Sequence, residues 1–233
     1  MAERVLPEPD HFATSPYEGR ILEYYAGTFE AVYILLHPFI RAVSIETTRF
    51  APGTYPSLTS IVKNCTPVPW AEVARKADLP SIAAVDIGLR TMIRGLKEEF
   101  SNRRFADGIE SLRASDQIHP PSEGYFSELL HDEVFSSIQE LGYEWVWVGD
   151  EFCTERKLHW IEDLKNQDDG PTSGRRRANV FTPDKALLWT AHWDSHFSFL
   201  CSSEHNLNAI LEQHPLEGFF SGPRTEVYWS LQG

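Results

Sequence analysis

The feature that most constrains this chain is the stretch 187–201, in which apolar and polar side chains alternate with a period of two. Successive side chains of a β-strand point to opposite faces, so the pattern predicts a strand with an aromatic core face and a polar face. We expect the core face to carry Trp189, Ala191, Trp193, Phe197, Phe199 and Cys201, and the polar face to carry Thr190, His192, Asp194, His196 and Ser198. The polar face is expected to meet water or to line a cleft.

The length of this stretch also predicts an interruption within it. At ~3.3 Å per residue it would extend ~50 Å, whereas most strands have about five or six residues. We therefore expect a bend, a bulge or a break near Asp194 and Ser195.

The periodicity of the other segments divides the chain near residue 142. Before it, apolar residues recur at helical spacing in the segments 28–43, 70–77, 81–96 and 123–141. A kink or break is expected at Pro38, within the first of these segments. After it, strand patterns at 143–149, 179–181, 218–221 and 225–231 alternate with helical patterns at 154–165 and 202–214. We predict an α+β fold. Residues 1–141 should form a mainly helical region that begins with an extended arm at 1–16, and residues 142–233 should form an antiparallel sheet with flanking helices. The two regions are expected to pack together as one unit.

Composition indicates a soluble, cytoplasmic protein. The longest apolar run of the 233 residues, 31–36, is too short to span a membrane, so no membrane partner is expected. The first ten residues contain acids and prolines instead of the apolar segment of a secretory signal. Cys65, Cys153 and Cys201 lie far apart, which predicts free thiols in a reducing compartment.

His192, Asp194 and His196 form the densest group of chemically versatile side chains. Imidazole and carboxylate groups bind zinc or iron, and they also serve as general base and orienting acid in hydrolases. On a straight strand the outer two residues would lie ~13 Å apart, too far to share an ion bound at ~2.0–2.2 Å. We therefore predict no metal and no cofactor. The three residues remain the candidate catalytic set of an alternative function, a hydrolase-type enzyme with or without a metal.

The segment 72–81 is similar to the helix-turn-helix of bacterial repressors, with Leu79 at the turn and Ser81 opening the second helix. That family usually has glycine where Asp78 stands, because the turn needs a positive φ. The second helix offers no base-reading side chain in its early positions, which are Ile82, Ala83, Ala84 and Asp86. We predict a plain helical hairpin and no nucleic-acid partner, and a DNA-binding regulator is the second alternative.

Charge is the strongest indication of a partner. The formal net charge is −13, and five acidic residues without any lysine or arginine fall between residues 123 and 141. We expect an exposed acidic helix face there, with Glu128, Asp132 and Glu133 as candidate binding residues. Because opposite charges steer association, the pattern predicts a basic protein partner.

The C-terminal third carries a Pro-Asp turn, a strand, an Asp followed by His-Phe, a helix and a Thr-x-x-x-Trp segment. The residues concerned are Pro183, Asp184, Asp194, His196, Phe197, Thr225 and Trp229. In this it resembles the ends of small uncharacterised bacterial cytosolic proteins, some of which are immunity proteins to polymorphic toxins. The resemblance implies a non-catalytic binder of a basic protein, and that is the function we predict from the sequence.

Overall fold

The computed structural model describes residues 8–165 and 178–232. Within these ranges the helices are α1 Ile21–Tyr24, α2 Leu58–Asn64, α3 Trp70–Lys76, α4 Ile82–Met92, α5 Arg103–Ser115, α6 His131–Glu140, α7 Ile161–Lys165 and α8 Glu204–Gln213. The strands are β1 Ala31–Leu36, β2 Phe39–Ala42, β3 Cys65–Val68, β4 Ile118–His119, β5 Trp145–Asp150, β6 Arg156–Trp160, β7 Ala178–Phe181, β8 Leu188–Ala191, β9 Phe197–Ser202 and β10 Gly218–Phe220. Short 3-10 helices lie at Thr47–Arg49, Glu98–Phe100 and Trp229–Leu231.

The described residues form two antiparallel sheets. The larger sheet has seven strands in the order β10-β1-β9-β8-β7-β5-β6, and the smaller has three in the order β3-β2-β4. Separate clusters of buried apolar side chains cover the two faces of the larger sheet, and a third cluster lies on the smaller sheet. The predicted α+β class with an antiparallel sheet is confirmed.

The predicted helix over 28–43 is wrong, because this segment forms β1 and β2. Alternate residues of β1 enter different apolar clusters, with Val32 and Ile34 on one face of the sheet and Tyr33 and Leu35 on the other. A strand buried on both faces has a continuous apolar sequence, which periodicity does not distinguish from a buried helix. The region before residue 142 is therefore not mainly helical, and β1 is an interior strand of the larger sheet, between β9 and the edge strand β10.

The predicted break within 187–201 is confirmed, since β8 and β9 form a hairpin around the loop 192–196. The prediction of a single aromatic face is wrong. Trp189 joins the cluster on one face of the sheet, whereas Phe197 and Phe199 join the cluster on the other. Trp193 belongs to the connecting loop, where it is half-buried and its ring stacks on that of Tyr17.

Three further elements differ from those predicted from the sequence. α6 begins at residue 131 instead of 123, because Gly124 adopts a φ of 71° and donates its backbone N–H to Ser195 O at 2.9 Å. The predicted helix over 154–165 is β6 followed by the short α7. The predicted final strand at 225–231 is a single β-bridge between Arg20 and Glu226 followed by a 3-10 helix.

The polar segment 100–121, which has no clear apolar period, contains the longest described helix, α5. Asn102 caps it by accepting a hydrogen bond from the Phe105 N–H at 3.2 Å, and its apolar side is buried against α4. Of the predicted arm at 1–16, residues 1–7 lie outside the described ranges, and 8–16 contain neither helix nor strand. No helix of the described ranges combines the length and apolar character that crossing a membrane requires.

Candidate functional site

The loop 192–196 contains all three candidate catalytic residues. Its predicted exposure to water or to a cleft is wrong, because the exposed fractions of His192, Asp194 and His196 are 1%, 3% and 2%. Segments distant in sequence cover the loop, among them the backbone of Gly124 and the ring of Tyr17.

Arg90 of α4 holds this loop from inside the protein. Its Nε donates to Asp86 Oδ2 at 2.9 Å, and its Nη groups donate to the Asp194 carbonyl oxygen at 2.7 Å and to Ser195 Oγ at 2.9 Å. Nη1 also lies 3.6 Å from Asp194 Oδ2, and the Tyr228 ring covers the guanidinium at 4.4 Å. Arg90 and Asp86 are both fully buried. The opposite charges and hydrogen bonds around the two groups replace part of their hydration, and Asp86 Oδ1 is buried without a hydrogen-bond partner among the described residues.

His192 has hydrogen-bond partners at both ring nitrogens. Nε2 lies 3.0 Å from the Tyr17 carbonyl oxygen, which can only accept, so Nε2 carries the proton. Nδ1 therefore accepts, from the Asp194 N–H at 3.2 Å and from the Ser195 hydroxyl at 3.0 Å. A general base needs an acceptor nitrogen within reach of its substrate. That nitrogen of His192 is occupied by two donors of its own loop.

The Asp194 carboxylate, like the His192 ring, is enclosed by other parts of the protein. The Tyr228 hydroxyl donates to Oδ2 at 3.3 Å. Gly95, just beyond α4, lies so close to the carboxylate that a Cβ at this position would collide with both oxygens. A side chain at position 95 would displace the loop, so the contact requires glycine.

His196 is an uncharged core histidine. Burial lowers its pKa to about 3, and nearby Arg90 and His37 act in the same direction. His37 is also buried, which lowers its pKa to about 3, and its Nε2 lies 3.0 Å from Ser198 Oγ. Nδ1 of each of these two histidines is buried without a hydrogen-bond partner among the described residues. In the described ranges, no three or more His, Cys, Asp and Glu side chains are placed to hold a metal ion.

The sequence pattern predicts the position of the loop but not the residues that surround it. The structure joins His192 and Asp194 to Asp86, Arg90 and Tyr228, three residues that sequence analysis did not select. The one local signal was the spacing of Asp86 and Arg90, an i, i+4 pair that can bond along a helix. The arrangement is a buried ionic network that fixes the conformation of the loop.

The helical hairpin at 70–92 is present as α3 and α4, with Asp78 between them at a φ of 53°. α4 is packed on several sides, against α3, α5 and the 3-10 helix Trp229–Leu231. Its early residues Ala84 and Asp86 are buried. A recognition helix must present its early residues to a DNA groove, and here the protein core covers them.

An open apolar groove lies beside α6, and we call it the α6 groove. It has a volume of about 270 Å³ and is lined by four leucines, four prolines and two glutamates. These are Leu36, Leu129, Leu130, Leu216, Pro38, Pro67, Pro69, Pro215, Glu133 and Glu217. Its size approaches the ~300 Å³ at which small-ligand pockets begin, and its rigid prolines make it a preformed recess for apolar side chains.

The three predicted binding residues have different surroundings. Asp132, at the start of α6, is exposed. Glu133 lies in the α6 groove, and its Oε1 is 2.6 Å from His214 Nδ1, while Glu140 Oε2 is 2.8 Å from His214 Nε2. Burial alone would lower the pKa of His214, but these two carboxylates outweigh it and raise the pKa. Glu133 and Glu140 are thus both tied to one histidine.

Glu128 does not lie on an exposed acidic face, because only 4% of it is exposed. It precedes α6 and lies near Tyr55 and Cys65 under the smaller sheet, and its Oε2 is buried without a hydrogen-bond partner among the described residues. Burial raises the pKa of Glu128 to about 7. The expectation that it binds a partner at the surface conflicts with this position, whereas Asp132 and Glu133 remain candidates.

Replacing Glu128 by glutamine is expected to stabilise the protein at pH 8 by about 3 kcal/mol and to have little effect below about pH 4.5. A carboxyl whose pKa is raised on folding contributes stability at low pH, and this is lost as the pH rises from about 4.5 through about 7. Urea unfolding of wild type, Glu128→Gln and the exposed control Glu212→Gln at pH 5 and pH 8 measures the effect. A Glu128→Gln gain that is equal at both pH values would contradict this explanation.

The sequence model of the family described as "Protein of unknown function (DUF2711)" matches residues 17–231. The chain belongs to this family. The match includes both sheets, the α6 groove and the buried network of the loop 192–196. No curated protein and no solved structure matches the chain.

Proposed function

We propose that this DUF2711 protein is a non-catalytic binding protein that holds a basic partner protein in the α6 groove. The observation that carries the proposal is the combination of an apolar, proline-lined recess with Glu133 and Glu217 in its wall and exposed Asp132 at the start of the neighbouring helix. An apolar side chain of the partner would fill the recess, and a lysine or arginine beside it would meet the carboxylates.

The charges around the groove support a cationic partner. Glu217 accepts hydrogen bonds from the backbone N–H groups of Trp70 and Ala71 at 2.8 and 3.2 Å, which fixes its carboxylate at the start of α3. The whole chain carries a net charge of −13, which attracts cationic molecules over long distances. Charges at the rim of an interface act mainly on the association rate.

The buried network supports a role without catalysis. His192 uses its acceptor nitrogen within its own loop, and the Asp194 carboxylate is covered by Gly95 and Tyr228. These contacts favour a structural task for the residues that a hydrolase would have used. The three cysteines are free and buried, which fits the proposed cytoplasmic location. The specific form of the proposal is immunity-like: the partner would be a basic toxin whose activity the complex blocks.

Photo-crosslinking in the native host tests the site. A photoreactive phenylalanine analogue at Leu130, in the α6 groove, should capture a basic protein, whereas the same analogue at exposed Phe100 should not. Adding Asp132→Lys to the Leu130 protein should weaken the capture, and adding Glu98→Lys, an equal charge change elsewhere, should leave it unchanged. Capture of the same proteins from both positions, or of an acidic partner, would contradict the proposal.

A further inference from the structure

The outer edge of β6 closes one end of the larger sheet, and within the described ranges β6 pairs only with β5. Hydrogen bonds from Ile161 N to Glu144 O at 2.9 Å and from Asp150 N to Glu155 O at 3.1 Å fix the phase of this ladder. In an antiparallel pair the residues that bond their partner alternate with residues that do not. The backbone N–H and C=O groups of Arg156, Leu158 and Trp160 therefore point outward, away from β5.

Large apolar side chains lie on one face of the sheet beside this free edge. Trp145 is paired across the two strands with Trp160, and Trp147 is paired with Leu158, so all four side chains share one face. Trp145, Leu158 and Trp160 are 49%, 39% and 41% exposed. Large apolar side chains grouped on a protein surface mark an interaction site more often than scattered ones do.

The other face of β6 carries an exposed lysine. Lys157 and His159 point to the side opposite the tryptophans. Lys157 is exposed, whereas burial and the charge of Lys157 lower the pKa of His159, so the His159 ring is uncharged at pH 7. Lys157 thus places an exposed positive charge on this face, in a chain with a net charge of −13. A strand placed next to β6 would thus meet apolar side chains on one face and the Lys157 ammonium group on the other.

We propose that the free edge of β6 binds an extended segment of a partner protein in which apolar and acidic residues alternate. The segment adds as an eighth strand, bonded to the backbone of Arg156, Leu158 and Trp160. Its apolar side chains cover the exposed tryptophans, and its acidic side chains lie beside Lys157. This surface is separate from the α6 groove, and the proposal does not depend on the function proposed for that groove.

A short peptide tests this surface directly. The probe is a seven-residue peptide with blocked ends that alternates valine and glutamate, compared with the same peptide carrying lysine for glutamate. Binding is measured by calorimetry and by the tryptophan emission of the protein. We expect the glutamate peptide to bind at least about tenfold more tightly than the lysine peptide.

Leu158→Pro is the sharpest variant, because it removes an outward N–H and leaves the bonds between β5 and β6 in place. It should weaken binding of the glutamate peptide by about tenfold or more, whereas Leu158→Thr, which keeps the N–H, should bind the peptide with an affinity within about threefold of wild type. Lys157→Glu provides a second variant that keeps every backbone bond and should reverse the preference between the two peptides.

Three results would overturn the proposal. One is an absence of glutamate-peptide binding at concentrations up to about 1 mM. Another is binding that ignores both Leu158→Pro and Lys157→Glu. The third is a dimer in sedimentation that Leu158→Pro dissociates, because a second copy of this chain would then occupy the edge.

Discussion

Arg90→Met is expected to destabilise the protein by about 3–5 kcal/mol, which is a large part of the ~5–15 kcal/mol that holds a typical domain folded. The substitution removes the cation that Asp86 and Asp194 share in the core, together with the hydrogen bond to Ser195 Oγ. Two buried carboxylates would then lose their shared counter-charge, and the loop 192–196 would lose its main attachment to α4. Urea unfolding at pH 7 gives the free energy directly.

Arg104→Met is the matched control, because the Arg104 side chain is 77% exposed and its ion pair with Asp78 lies at the surface. It should change the stability by less than about 0.5–1 kcal/mol. An Arg90→Met protein that unfolds at the same urea concentration as the control would show that the network does not support the fold.

Acid is expected to unfold the protein near pH 4, because burial strongly lowers the pKa of three histidines, His37, His119 and His196. Burial lowers the pKa of His37 and His196 to about 3 and that of His119 to about 4, with Arg113 adding to the shift of His119. A histidine whose pKa is lowered on folding contributes stability that is complete above about pH 6.5 and is lost as the pH falls.

The free energies of these protonation steps decide whether the protein unfolds at pH 4. At pH 4 each of the three histidines reduces the stability by about 3 kcal/mol, whereas the raised pKa of Glu128 returns about 3 kcal/mol, so these four groups together reduce it by about 6 kcal/mol. Circular dichroism from pH 7 to pH 3 measures the transition. The double variant His37→Gln/His196→Gln should move its midpoint about one pH unit lower, and the exposed control His205→Gln should leave it unchanged. A wild-type protein that remains folded at pH 3 would contradict this account.

Local pattern was sufficient for the strand at 187–201 and for its interruption near Asp194. The local pattern could not predict which face of the sheet each side chain occupies. The loop 192–196 reverses the chain, so that Trp189 and Phe199 lie on opposite faces of the sheet. A hairpin reversal preserves the alternation in the sequence and changes which core each residue enters. Both faces of this sheet are also covered, so polarity did not indicate exposure.

Burial of the candidate residues depends on contacts between distant segments. Arg90 is about a hundred positions from Asp194, and nothing in the spacing of either residue predicts that they meet. Glu128 belongs to an acidic run whose other members suit a solvated helix face, yet it precedes α6 and is covered by the smaller sheet. Local sequence therefore identified reactive residue types, and tertiary structure decided which of them are accessible.

Charge beside the α6 groove is proposed to guide a basic partner, and the rate constant for association with the captured partner, once purified, tests this most directly. The measurement compares wild type, Asp132→Lys and Glu98→Lys at 0.01 M and 0.15 M salt, where the Debye length is ~30 Å and ~8 Å. We expect the wild-type rate to fall with salt, Asp132→Lys to associate more slowly at low salt, and Glu98→Lys to follow wild type, with all three melting temperatures nearly equal. A rate that ignores salt, or that Asp132→Lys and Glu98→Lys change equally, would contradict the claim.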